Sequence, residues 1–401
     1  MVDIAKILAV FVLMMVLLNR KVNLGLVMLT AAAIFGSLFQ MNPPEIVGAA
    51  LVAMVDESTL RLLVILVLIS FLENIMRKNM ILQRMVSGMK ALIPDHRLVM
   101  ALLPAFIGLL PSPGGAMFSA PLVGEASREF KLTAERKSFI NYWYRHIWEY
   151  VIPLFPSVVL ASTILSVDLR DFMIRQIPFT LVAVLAGIPI GFWGMKNHSV
   201  RSGASRSWRD LADALIGIGP ITGVIVVVLL FNVDLILALA VAVVGLLIVH
   251  RYNLARILAL RESISFNIAL LVVGVNIFKE VLEQSGAVNA IPAFVAAHDI
   301  PVAVMVFALP FLVGWLTGVA AAFVAIAFPV FLGLFSSGAV DLNMTAFAFA
   351  SGIAGVMLSP AHLCLALTIQ HFKADLGRVQ LMLLASEGAI VVTAAILYLP
   401  R

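Results

Sequence analysis

Apolar runs close to or above the roughly 20 residues that a helix needs to cross a bilayer recur from one end of this chain to the other. Lipid offers the backbone no hydrogen-bond partners, so a segment of that length satisfies its own N–H and C=O groups as a helix. The expected fold class is therefore an all-α polytopic membrane protein. A water-soluble fold is excluded: 62% of the residues are hydrophobic and 12% are charged, about half the roughly 25% charge of soluble domains, and the mean hydropathy is +1.08. No stretch leaves room for a soluble catalytic domain. The first run carries Asp3 and Lys6 and has no small-residue cleavage site before Arg20, so it reads as a retained helix. A single cysteine, Cys364, excludes an internal disulfide or a cage of thiolates. The formal charge of +5 does not point to nucleic acid, because the basic residues sit in short stretches between apolar runs.

Ten runs read as crossings: 4–18, 23–40, 59–77, 136–166, 174–195, 212–230, 233–250, 263–283, 343–370 and 379–399. Two others, 97–126 and 301–334, do not. The first holds PSPGG at 111–115 with about 14 apolar residues before it and about 11 after, arms of about 20 Å that fall short of a core of about 30 Å. A re-entrant hairpin fits better than a crossing, with its tip near mid-membrane. Ten crossings and two hairpins place the N-terminus outside and put 20 of the 27 lysines and arginines on the cytoplasmic side.

The halves repeat one another in order. Residues 1–195 hold scaffold spans at 4–77, a hairpin at 97–126 and a broken helix at 136–166; a polar linker, 196–211, follows. Residues 212–401 hold spans at 212–283, a hairpin at 301–334 and a broken helix at 343–370. Landmarks keep their separation: Pro104 and Pro310 stand 206 apart, Gly108 and Gly314 206, Pro121 and Pro329 208, Pro153 and Pro360 207. Five crossings per half is an odd number, so the second copy enters from the opposite side. The expectation is two inverted-topology repeats, each of five transmembrane helices and one re-entrant hairpin, with broken helices at mid-membrane, as in many secondary transporters.

Candidate chemistry gathers at those interruptions. At the first tip, Pro111, Ser112, Pro113, Gly114 and Gly115 free backbone groups and offer one hydroxyl; the second tip is Thr317, Gly318, Val319 and Ala320. The run 136–166 would be about 46 Å long as one helix, so a break is expected near Pro153 and Pro156. Before it stand Asn141, Arg145, His146 and Glu149. Arg145 and Glu149, four apart on one helix face, could simply neutralise each other. Alternatively His146 or Glu149 handles a coupling proton, since intramembrane ionisable groups face cavities or one another. The mirror break holds Ser359, Pro360 and His362. Substrate binding is thus assigned to Ser112, Pro113, Gly114, Gly115, Asn141, Thr317, Gly318 and Ser359, and ion coupling to His146, Glu149 and His362. No HExxH spacing and no phosphate-cradling glycine loop occurs, so neither a metal site nor a cofactor is expected beyond a coupling sodium ion or proton.

The stretch LLPSPGGAMFSAPLVGEAS, with the mirrored halves, hairpins and broken helices, resembles the ion-transporter superfamily of citrate, gluconate and dicarboxylate carriers. It looks most like a prokaryotic integral membrane family catalogued as domain of unknown function 401, over nearly the whole chain. The resemblance implies a scaffold domain from the first spans of each half, a transport domain from hairpins and broken helices, elevator-like motion and a homodimer in the prokaryotic inner membrane. Dicarboxylate carriers of that superfamily carry Ser-Asn-Thr at both tips. Here those places read Pro111-Ser112-Pro113 and Thr317-Gly318-Val319, so the sodium and dicarboxylate assignments do not transfer. The function expected is secondary transport of a small organic anion coupled to protons or sodium, with membrane lipid as surroundings, no nucleic-acid partner and no enzymatic role. The competing readings are a membrane enzyme acting on a lipid-linked substrate and a non-transporting channel or scaffold.

Overall fold

The computed structural model describes residues 2–111, 115–128, 130–195, 207–287, 290–335 and 340–398, and is all-helical over them. The first half runs α1 (Val2–Asn19), α2 (Leu24–Leu38), α3 (Pro43–Val55), α4 (Glu57–Lys78), α5 (Ile81–Leu92), α6 (His96–Ile107), α7 (Ala116–Ala126), α8 (Ala134–His146), α9 (Pro156–Ile164) and α10 (Leu169–Phe192). The second runs α11 (Trp208–Phe231), α12 (Leu235–Val249), α13 (Leu254–Leu258, extended by a 3-10 turn), α14 (Phe266–Gln284), α15 (Ala290–Ala297), α16 (Val302–Thr317), α17 (Ala320–Phe335), α18 (Leu342–Leu358), α19 (Leu363–Phe372) and α20 (Leu376–Tyr398).

Short polar side chains start many of these helices by accepting from otherwise unpaired N–H groups. Asn23 does so for α2, Asp95 for α6, Thr133 for α8, Asp168 for α10, Asp234 for α12 and Asp341 for α18. Six spans among the described residues are long and apolar enough to cross a bilayer: α1, α4, α10, α11, α18 with α19, and α20. A seventh arises if the α13 segment and α14, bent by 54°, count as one. The ten runs read from sequence thus include pieces too short to qualify by length. Residues 23–40 and 233–250 yield helices of only 15 residues, about 22 Å each, and 136–166 is interrupted. Large apolar side chains face outward along these helices, Leu185 at 64% exposure and Ile248 at 71% among them. Patches of this kind belong against lipid. The chain is a multi-pass membrane-type helical protein.

Packing partners exchange between the halves. Helix α2 packs on α14 and α4 on α12; α7 packs on α19 and α9 on α17; α8 packs on α20 and α10 on α18. In every pair one helix comes from each half, and swapping the halves turns one contact into the other. The periphery departs from this pattern, because α5 lies closely along α11 whereas α15 barely touches α1. At the centre stands α18, buried at every position from Met344 to Leu358.

Candidate functional site

Both broken helices interrupt at the centre of the fold. Helix α8 stops at His146, and residues 147–155 run as turns until Pro156, which needs no N–H donor, begins α9. The break starts earlier than Pro153 and Pro156 suggest. It also takes Glu149 off the helix face that carries Arg145, while leaving the two charges in electrostatic contact: α8 has ended before Glu149, whose N–H bonds the His146 carbonyl at 3.1 Å. The acid is instead turned to His146, with Oε1 3.7 Å from Nε2. Helix α18 stops at Leu358, and Ser359 to His362 form the second break.

The two breaks touch. The His146 and His362 rings lie 5.0 Å apart edge to face, and Tyr142 packs on both, at 4.5 and 5.5 Å. The Tyr142 hydroxyl donates to the Met357 carbonyl at 3.2 Å, tying α8 to the end of α18. His146 Nδ1 lies 2.6 Å from the Tyr142 carbonyl. A carbonyl only accepts, so Nδ1 carries the hydrogen and the neutral ring presents a bare Nε2. That Nε2 is buried with no hydrogen-bond partner, as is His362 Nδ1. Cys364, in the first turn of α19, places its sulfur beside both rings: the three ligating atoms lie within 4.8 Å of one another, all buried.

A second carboxylate enters from α20. Glu387 is 1% exposed and accepts from the Tyr150 hydroxyl at 3.2 Å. Asn141 donates through Nδ2 to the Ala116 carbonyl at 3.2 Å and to Thr368 Oγ1 at 3.0 Å, joining α7, α8 and α19, while its buried Oδ1 has no partner. Where the broken helices end, the last helix of the same half supplies the missing donor. Thr180 of α10 donates to the Ile147 carbonyl at 2.9 Å, and Gln380 of α20 to the Leu358 carbonyl at 3.0 Å.

The hairpins lean on this centre. Gly318 ends α16 in the left-handed region at φ +65, and a Cβ there would lie 2.6 Å from the His362 backbone nitrogen. This glycine therefore both turns the chain and admits the second break. Thr317 is half-buried beside it; its hydroxyl donates to the Val313 carbonyl at 2.7 Å and accepts from the Val319 N–H at 3.3 Å. Gly115 is buried at the start of α7; Ser112, Pro113 and Gly114 lie outside the described residues. Ser359 is buried, and its hydroxyl accepts from the Ala361 N–H at 3.2 Å. Unlike the capped helices above, α7 and α9 begin at buried residues, after Gly115 and Phe155, with no side-chain cap. Their first N–H groups and the positive ends of their dipoles face inward.

An apolar groove of about 790 Å³ lies between α1 and α16 and touches the centre at Thr317 and Ala361. A polar cavity of about 500 Å³ lies between α4, α10 and the α11–α12 turn, lined by Arg61, Asp168, Arg170 and Asp234. The structure places His146, Glu149 and His362, singled out in the sequence, beside one another, and adds Tyr142, Tyr150, Cys364 and Glu387, which the sequence reading did not single out. Glu387 carried a legible signal, a lone carboxylate in the apolar run 379–399. Cys364 follows His362 by two residues, yet one cysteine suggested no cluster. The tyrosines looked like ordinary apolar filling.

Helices that cross lipid, interior breaks that meet, and ionisable groups held where they join define a polytopic membrane protein with a buried polar centre. Over residues 3–400 the chain matches the family described as "Protein of unknown function (DUF401)", and it belongs to that family. No curated protein matches it.

Proposed function

We propose that this protein is a secondary transporter of a small organic anion, coupled to protons, working by an elevator-type motion in the prokaryotic inner membrane. The observation that carries the reading is the meeting of the two breaks: His146 and Glu149 of one half stand against His362 of the other, with Gly318 of the second hairpin seated on the join. Interruptions of this kind are tolerated at membrane depth only where they are enclosed by protein or line a wet path. The interior starts of α7 and α9 favour an anionic ligand. The exchange of packing partners between halves supports inverted repeats, with ten crossings, two re-entrant hairpins and the N-terminus outside. In this reading α2, α4, α12 and α14 form the scaffold, and a homodimer joins through it. Imidazoles and a thiol are poor donors for sodium, which prefers oxygen ligands, so the proton is the better coupling ion.

Reconstitution tests this. In sealed liposomes an inward proton gradient drives accumulation of an unaltered carboxylate solute, and Glu149→Gln abolishes the gradient-driven part while the protein remains folded. Undiminished gradient-driven uptake in that variant removes Glu149 from coupling. Appearance of a new product in place of an accumulated solute would favour the membrane-enzyme reading.

A further inference from the structure

We infer that His146, His362, Cys364 and Glu149 form a binding site for one divalent d10 cation of the zinc class. The donor set carries the argument. Zinc takes imidazole nitrogen, thiolate sulfur and carboxylate oxygen in a tetrahedral shell, with ligands about 2.0–2.3 Å from the metal and therefore about 3.3–3.7 Å from one another. The His146 Nε2 to Glu149 Oε1 separation is 3.7 Å. That is too long for a hydrogen bond but matches two ligands on one ion. The atoms of His146, His362 and Cys364 lie within 4.8 Å of one another, a three-ligand cluster that draws inward on an ion, with Glu149 joining it from the His146 side.

The histidines are prepared as metal-binding histidines are. One ring nitrogen donates to an oxygen acceptor, which fixes the tautomer and aims the other at the ion. His146 does this through Nδ1 and the Tyr142 carbonyl, leaving Nε2 bare and without a partner; His362 Nδ1 is likewise buried and unpartnered. Nitrogen atoms so deeply buried are costly unless something binds them. Tyr142, tilted against the His146 ring and edge to face with the His362 ring, packs on both.

Charge favours a divalent ion. The groups facing this centre from every side are Arg145 and Glu149 at the first break, Cys364 on α19 and Glu387 on α20, all buried. Counted as ions, Arg145, Glu149 and Glu387 leave one negative charge, and a metal-bound thiolate would add a second, which one divalent cation cancels. A buried centre left with such an imbalance would be strongly destabilised. Protons on the carboxylates are the other way to cancel it, and that is the compensation the transport reading uses. The metal site stands apart from that reading, because its readouts need no uptake and either can fail alone.

Two measurements on the purified full-length protein test the site. First, Co2+ added after chelator treatment should give a thiolate-to-metal charge-transfer band at one equivalent, erased by Zn2+ and absent in Cys364→Ala. Second, because Cys364 is the only cysteine, wild-type protein alone reports occupancy. Zn2+ should slow alkylation of this thiol at least roughly tenfold, Mg2+ should not, and chelation should restore the rate. Glu149→Gln should weaken Zn2+ binding by roughly tenfold or more. A Co2+ spectrum without the thiolate band, or alkylation indifferent to Zn2+, overturns the site. Unchanged Zn2+ affinity in Glu149→Gln overturns the four-ligand set. The alkylation assay needs no variant to fold.

Discussion

Arg145 of α8 and Gly352 of α18 occupy the same place in their halves, 207 residues apart, the offset of Pro153 and Pro360. Each presents its carbonyl to the glycine of the facing hairpin. A Cβ on Gly108 would lie 1.9 Å from the Arg145 oxygen, and one on Gly314 would lie 2.4 Å from the Gly352 oxygen. The chemistry around this shared contact is not shared. Arg145, His146 and Glu149 of the first half correspond to Gly352, Ile353 and Val356, whereas Ile152 and Phe155 correspond to Ser359 and His362. The backbone arrangement is thus repeated while the polar equipment is divided, charges on one side and the second imidazole on the other. Neither half carries the whole set, so the site exists only where the breaks meet.

The strongest way to break this comparison is to fill the close approach. Gly108→Ala should lower stability by about 3 kcal/mol or more and Gly314→Ala by about 2 kcal/mol, because backbone atoms cannot yield as a flexible side chain can. Thermal unfolding in detergent measures both. Gly223→Ala, with nothing within 4 Å of its Cβ, should lose nothing. An Ala at Gly108 no worse than the one at Gly223 would end the claim that the hairpins dock by backbone contact.

A smaller effect tests the ends of the broken helices. Thr180→Val should cost about 2 kcal/mol and Gln380→Leu about 1 kcal/mol, since each leaves a helix-end carbonyl without its donor. The order follows burial: Thr180 is buried and Gln380 half-buried. Equal or reversed losses in the same assay would show that the two ends are not held in the same way.

The smallest effect lies at the foot of the first hairpin. Asp95 caps α6 by accepting from the Arg97 N–H at 2.9 Å, and its carboxyl also binds the Arg97 guanidinium. That guanidinium holds the Asp95 carboxyl below its usual value, against the opposing effect of burial. A lowered folded value means the charged cap stabilises above the ordinary carboxylate range and is lost as pH falls through it, below about 4. Asp95→Ala should cost about 1 kcal/mol at neutral pH, and the gap from wild type should shrink in acid. A gap independent of pH would show that the charge contributes nothing.

Much of this was legible beforehand, for identifiable reasons. Pro153 and Pro156 point to the first break because proline removes donors wherever it stands, although the helix stops some residues before them, at His146. The second hairpin turn, at Gly318, has no proline and showed only through its mirrored place. Short helices such as α2 and α12 were illegible as short, since an apolar run does not record where its capping residue will stop it. The centre was half legible: charged residues stand out in an apolar chain, but Tyr142, Tyr150 and Cys364 act through contacts with residues hundreds of positions away. The shared helix face of Arg145 and Glu149 did not hold, because it assumed a continuous helix where the chain turns, though the two charges remain close enough to interact.

With every position from Met344 to Leu358 enclosed, α18 has no face left for lipid. Its wrapping comes from α16, made before it, and from α20, made after it. Without α20 in place, α18 would leave that flank uncovered. A chain shortened before Leu376 would strand that helix with an open flank and deprive the Leu358 carbonyl of its Gln380 donor. Enclosure of α18 thus depends on the last span.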